Sequence, residues 1–108
     1  DAKNQKLGRL ASQIALMLQG KLHASYNPRL AGSDKVIVKN AGQIIVTGQK
    51  ATKKVYYRHT GYMGHLRERT YNEAFSRSPA KVLQLAVSRM LPKNWIRQDR
   101  MNRLVIEK

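Results

Sequence analysis

The hydrophobic pattern predicts an α/β fold in which helices surround a small parallel sheet. Leu7, Leu10, Ala11, Ile14, Ala15 and Leu18 recur at helical spacing, and Val82, Leu83, Ala86, Val87 and Met90 do so again. Between them, Lys35–Lys39 and Gln43–Thr47 are short, near-continuous β-branched runs, which is how strands buried on both faces read. At 108 residues and 42% hydrophobic content, the chain has the size of one domain, residues 1–108, with one modest core.

Taken in order, residues 7–19 form an amphipathic helix, since Lys6, Arg9, Gln13 and Gln19 fall between the apolar positions. Gly20 closes it, and the apolar stripe belongs to the core. Gly20 to Asp34, with Pro28 and Gly32, is a long connection whose Lys21, His23, Tyr26 and Arg29 either touch a phosphate or are simply exposed. Lys35–Lys39 is a strand, Asn40–Gly42 a turn and Gln43–Thr47 a second strand ended by Gly48. Lys54–Arg58 alternates enough to be a third strand with one wet face, and His59–Leu66 is a glycine-punctuated loop.

Thr70-Tyr-Asn-Glu73 has the spacing of a capping box, in which hydroxyl and carboxylate each satisfy an orphan amide of a short helix. Ser78 and Pro79 repeat the start signal: a hydroxyl cap, then a proline where the missing N–H costs nothing. Pro92 stops that helix. If residues 94–102 are helical, Lys93, Arg97 and Arg100 share one edge, and Leu104–Ile106 is a last strand or an extended tail.

Twenty-one Lys and Arg stand against six Asp and Glu, a net charge of +15. Self-repulsion of that size disfavours a compact state unless a partner relieves it, so a polyanion is the simplest partner. The lack of cysteine excludes disulfides, thiol catalysis and thiolate metal sites. No apolar run approaches the roughly 20 residues a membrane span needs. Nothing at the start resembles a signal peptide, and the chain opens at Asp1 in mid-pattern, as though a segment preceded it.

Charge and aromatics concentrate in Thr47–Arg69. Lys50, Lys53, Lys54, Arg58, Arg67 and Arg69 meet a single acid, Glu68, with Tyr56, Tyr57 and Tyr62 threaded between them. Cations interleaved with flat rings suit nucleic acid, which offers both phosphates and bases. Gly48, Gly61 and Gly64 let backbone approach a phosphate. The plain alternative is a solvated hairpin whose charges confer only solubility.

The parts of an enzyme are scarce. Glu68 and Glu73 are better explained by the helix cap than as a catalytic pair, and no phosphate-binding glycine loop is present. His23, His59 and His65 lack the Cys or carboxylate neighbours of a zinc shell, so no metal or cofactor is expected. Stacking or hydrogen bonding to a nucleotide suits His59 better. Gly61-Tyr-Met-Gly64 matches the G-x-x-G of KH domains, but that loop joins two helices and this one follows a strand. Trp95 fits a core position and an RNA-stacking position equally well. A membrane-surface role would want a basic-faced helix with bulky apolar anchors, whereas the first helix carries its cations mostly at its ends.

With those residues on the page, the sequence resembles the universal large-subunit ribosomal protein family numbered thirteen. The resemblance rests on Leu7-Gly-Arg-Leu-Ala11, Gly20-Lys21, Val36-Ile-Val38 with Asn40-Ala41, Val46-Thr-Gly48 with Lys50, Lys54-Val-Tyr-Tyr57, His59-Thr-Gly61 with Gly64, and Met90-Leu-Pro-Lys93. It departs at Ala31-Gly-Ser-Asp34, at Gly64-His65, and at Asn94-Trp-Ile-Arg97, which replaces a glycine-rich segment. The resemblance implies a three-layer α/β/α domain around a mainly parallel sheet, with basic loop and C-terminal extensions and a family strand lying before residue 1. It implies a non-enzymatic constituent of the large ribosomal subunit that binds large-subunit rRNA early in assembly, beside neighbouring ribosomal proteins, in a bacterial cytoplasm or an organelle matrix. Neither a membrane nor a small-molecule substrate belongs to that role.

The expected RNA contacts then fall in two groups. Lys50, Lys53, Lys54, Arg58, Arg67 and Arg69 neutralise one RNA segment, with His59, Thr60, Gly61, Tyr62 and Gly64 at its loop. Lys93, Asn94, Arg97, Arg100 and Arg103 neutralise another.

Overall fold

Helix α1 (Leu7–Gln19) forms where the apolar stripe predicts it, and Leu7, Leu10, Ala11, Ile14, Ala15 and Leu18 are all buried. The structure, a computed structural model, describes residues 1–107. The helix ends at Gly20 with φ 74°, where the Gly20 and Lys21 amides donate to the Met17 and Leu16 carbonyls. That pair of bonds satisfies two orphan carbonyls, and it needs the left-handed backbone a glycine adopts freely.

Strand β1 (Val36–Val38) follows the long connection. The chain then passes through a 3₁₀ turn (Ala41–Gln43), a short helix α2 (Lys50–Lys53) and a hairpin of β2 (Val55–His59) and β3 (Leu66–Thr70). Helices α3 (Tyr71–Arg77), α4 (Pro79–Met90) and α5 (Arg97–Asn102) lead to β4 (Leu104–Ile106). β1 and β4 pair in parallel, Val36 opposite Leu104 and Val38 opposite Ile106, while β2 and β3 pair antiparallel. Parallel strands joined through helices make this an α/β chain. Its core is the α1 stripe laid against Val82, Leu83 and Val87 of α4, with Val38, Ile44, Tyr71, Leu91 and Met101 around them.

Both start signals act as read. The Thr70 hydroxyl accepts from the Glu73 amide and the Ser78 hydroxyl from the Lys81 amide, each at 3.4 Å, with Pro79 opening α4. Among the described residues the reciprocal bond from Glu73 back to Thr70 is not formed, so Thr70 is a simple cap rather than half of a box.

The second expected strand requires correction. Gln43 closes the 3₁₀ turn, and Ile45 makes only an isolated parallel bridge to Lys6. The chain's own first residues occupy that edge: Ala2 and Asn4 amides donate to Lys39 and Gln43 carbonyls, Ile45 donates to Gln5, and Leu7 donates to Ile45. Because residue 7 already begins a helix, the ladder cannot lengthen. Burial on both faces also fails, since Ile37 is 52% and Ile45 43% exposed, each projecting opposite a buried Val38 or Ile44. Alternation along a strand sends neighbours to opposite faces, and this narrow sheet covers only one of them.

Neither α2 nor β3 is foreseen by pattern. Leu66-Arg-Glu-Arg-Thr70 has no apolar alternation because nothing but Thr70 is even half-buried.

Candidate nucleic-acid interface

The hairpin's register decides which of its side chains act together. Tyr56 opposes Arg69 and Arg58 opposes Arg67, so these four share one face; Tyr57 opposes Glu68 and His59 opposes Leu66 on the other. Arg58 and His59, neighbours in β2, therefore face opposite ways, although both are exposed because the ribbon stands out from the core. Like charges directly opposed destabilise a ribbon. The Arg58–Arg67 pair has no carboxylate to offset it; among the described residues no Lys or Arg is paired to a carboxylate, and the one His–carboxylate contact, His23–Asp34 at 2.6 Å, lies far along the sequence.

That arginine face looks across a groove of about 990 Å³ onto α3 and α4. Arg58, Arg67 and Arg69 line it from the hairpin, and Arg77, Lys81 and Arg89 from the helical side, with Glu68 the one acid. Lys81, Leu85 and Arg89 follow each other at intervals of four, which puts them on one helix face. The floor is apolar, built from Tyr56, Ala74, Val82 and Leu85. Cationic walls over an apolar floor can hold a phosphodiester backbone while offering flat surface beneath it.

Tyr56, between Lys54 and Arg89, forms a ridge at this groove's margin. The Lys54 ammonium lies 5.4 Å and the Arg89 guanidinium 6.0 Å from its ring centroid, both within cation–π range. Burial raises the Tyr56 phenol above its ordinary 10.0, and Arg89 lowers it in part, so the ring stays neutral and its face remains a partner for cations.

Beyond this ridge lies a second groove of about 990 Å³, lined by Lys6, Arg9, Lys50, Lys53, Lys54 and Arg89 together with Gln49, Thr47 and Gly8. It contains no acid. Of the first expected group, the structure thus divides Lys50, Lys53 and Lys54 from Arg58, Arg67 and Arg69.

The hairpin tip is braced from within. The Thr60 hydroxyl and amide both donate to the His65 carbonyl, at 3.1 and 3.2 Å, so Thr60 serves the loop's closure rather than an outside ligand. The His65 amide donates to Tyr62, across a turn in which Gly64 takes φ 73°. The Gly61 amide donates to His59 Nδ1 at 3.0 Å, which leaves His59 Nε2 to carry the proton and face outward as a donor. Tyr62 is 75% and Met63 96% exposed.

The second expected group divides as well. Lys93 and Asn94 are exposed and Arg97 is half-buried, but Arg100 is 1% exposed and turned inward. Its guanidinium donates to Leu30 O at 3.0 Å and Ala31 O at 3.3 Å, while Arg103 donates to Asp34 O at 2.8 Å, Leu18 O at 3.0 Å and Ala31 O. Both arginines are occupied with backbone carbonyls and leave the outer cationic surface. Trp95, open between two readings, is 83% exposed and stands outside the core.

Lys6, Arg9, Arg77, Lys81 and Arg89 are contributors that motif reading passed over. The eight-residue spacing of Lys81 and Arg89, about two helical turns, was the available signal, but only the hairpin packed opposite gives that face a meaning. Among the described residues no group of three or more His, Asp or Glu side chains could hold a metal, and no helix is long and apolar enough to cross a membrane.

A family described as Ribosomal protein L13 matches residues 1–106, hairpin and both grooves included. The chain belongs to the L13 family. The Large ribosomal subunit protein uL13 of Chloroflexus aggregans is 46% identical over 108 residues, which is 100% of this chain and 72% of that relative. The protein of the same name from Buchnera aphidicola is 44% identical over 106 residues, 98% of this chain and 75% of the relative. That of Clostridioides difficile is 44% identical over 104 residues, 96% and 73% respectively. L13 proteins are structural parts of a ribosome and not enzymes, in keeping with a site made of cations, aromatics and glycine turns.

Proposed function

We propose that this chain is a structural constituent of the large ribosomal subunit, and that it grips large-subunit rRNA in the groove between the hairpin and α4. The observation that supports this is the groove's composition: six cations drawn from four elements, with apolar side chains among them and one acid. No such concentration of unpaired charge stabilises the folded chain alone. It is relieved when phosphates enter and their counterions leave. Contacts of this kind position RNA without reading its sequence, so selectivity comes from RNA shape and from stacking by Tyr57, His59 and Tyr62 at the exposed side and tip. By holding strands whose phosphates repel, the protein supports the packing of rRNA during subunit assembly and the translation that depends on it. Ribosomal proteins next to the same RNA are its other neighbours.

The test is a salt titration of the purified protein on large-subunit rRNA. With about 6 to 10 phosphates engaged, affinity falls about 10³- to 10⁵-fold between 50 and 200 mM salt. The double variant Arg58→Gln/Lys81→Gln, both exposed positions, weakens binding and reduces the log–log slope by about 1.8. An unchanged slope in a folded variant would mean that RNA lies elsewhere.

A further inference from the structure

The acid-free groove beside α1 and the hairpin groove share only Arg89 among their lining residues. Arg89 and Lys54 converge on the ring of Tyr56 and form a ridge: Arg89 lines both grooves, Lys54 only the α1 side and Tyr56 only the hairpin side. On the α1 side, Lys6, Arg9, Lys50 and Lys53 stand with Lys54 and Arg89 around a cavity without one carboxylate. Such a concentration of like charge is costly unless an anion occupies it. The opening turn of α1 adds to the same field, since the helix has no side-chain cap and no acid in its first turn. We propose that this groove is a second phosphodiester seat, so that one molecule holds two RNA strands side by side with the Tyr56 ridge between them. The inference rests on the hairpin groove being an RNA site and adds a second strand to it. Of the expected second group, Arg100 and Arg103 are spent on carbonyls, so this groove holds more free cations than Lys93 and Arg97 offer.

Phosphate-driven binding is insensitive to sequence, so a short RNA duplex of arbitrary sequence serves as probe. One sample carries a donor dye, a second an acceptor dye, and both are mixed with the protein at low salt. The native protein should give energy transfer and, in sedimentation, a complex with the mass of one protein and two duplexes. Lys50→Gln/Lys53→Gln, at exposed positions of α2, should keep one duplex but lose the second by about tenfold or more. Arg58→Gln/Lys81→Gln should also retain one duplex, now on the α1 side. Saturation of the native protein at one duplex, or two duplexes still bound by the Lys50/Lys53 variant, would overturn the second seat and leave the hairpin groove standing. Failure of the native protein to take any duplex would remove both.

Discussion

Arg100 shows how a single charged side chain can be structural. Its enclosed guanidinium and that of Arg103 tie the connection at Leu30, Ala31 and Asp34 to the last turn of α1. Arg103 approaches Leu18 O, one of the carbonyls a helix end leaves unpaired, where positive charge is also favoured by the helix dipole. Arg100→Met, close in volume but without donors, strands the Leu30 carbonyl and leaves Ala31 O to Arg103 alone, and should cost about 2–4 kcal/mol in urea unfolding. The salt slope of RNA binding by the folded fraction should not move.

Tyr71 is the opposite case at the same scale. Its ring is buried and stacked on Phe75 with centroids 5.5 Å apart, yet its hydroxyl has no hydrogen-bond partner. A buried polar group without a partner costs free energy, so Tyr71→Phe should be neutral or stabilising by up to about 1 kcal/mol. Burial, with Tyr56 nearby adding to it, raises the Tyr71 phenol above the ordinary value of 10.0. A raised folded-state value means the native protein holds its proton longer than the unfolded chain. That contribution is complete below pH 10 and is lost as pH rises through and past it. Melting curves taken above pH 10 should therefore show a smaller alkaline loss for Tyr71→Phe than for the native protein.

Among elements, the hairpin carries the clearest conflict between stability and use. Arg58 and Arg67 oppose each other on one face with no acid paired to either. Arg67→Glu converts a like-charge pair into an attractive one and should raise the melting temperature. The same change places an acid on the groove wall and should weaken RNA binding, with a shallower salt slope. A variant that gained on both counts would show that the arginine pair is not kept for RNA.

Elements also differ in how far they could be read beforehand. α1 and α4 were legible because one buried stripe runs through each at helical period, and because Gly20, Ser78 and Pro79 mark their ends with local chemistry. β3 carried no such mark, since a strand exposed on both faces has no alternation to show. The run at Gln43–Thr47 had every strand signal and still became a single bridge, because the residues at the chain's start took its edge. Propensity proposes a strand, but the available partner decides its length.

At the scale of the whole molecule, +15 of net charge is carried with no Lys or Arg paired to a carboxylate among the described residues. Added salt screens that repulsion, so the free protein's melting temperature should rise between low and moderate ionic strength. RNA affinity should fall over the same range. The opposite signs come from one cause, the surplus cations, and calorimetry beside a binding titration would reveal both. A melting temperature that fell with salt would mean that attractive pairs dominate the surface.

Composition and local pattern alone determined the class of partner, the two core helices and the concentration of cations and aromatics in Thr47–Arg69. All of these depend on how many charges there are, or on neighbours within a turn or two. Only the tertiary structure decided which cations stand together. It grouped Arg58, Arg67 and Arg69 with Arg77, Lys81 and Arg89, set Lys50 and Lys53 across a tyrosine ridge, and turned Arg100 inward onto a carbonyl 69 residues earlier in the chain. A guanidinium serves equally well as a donor to phosphate or to backbone, and chain closure over that distance settles which one it meets.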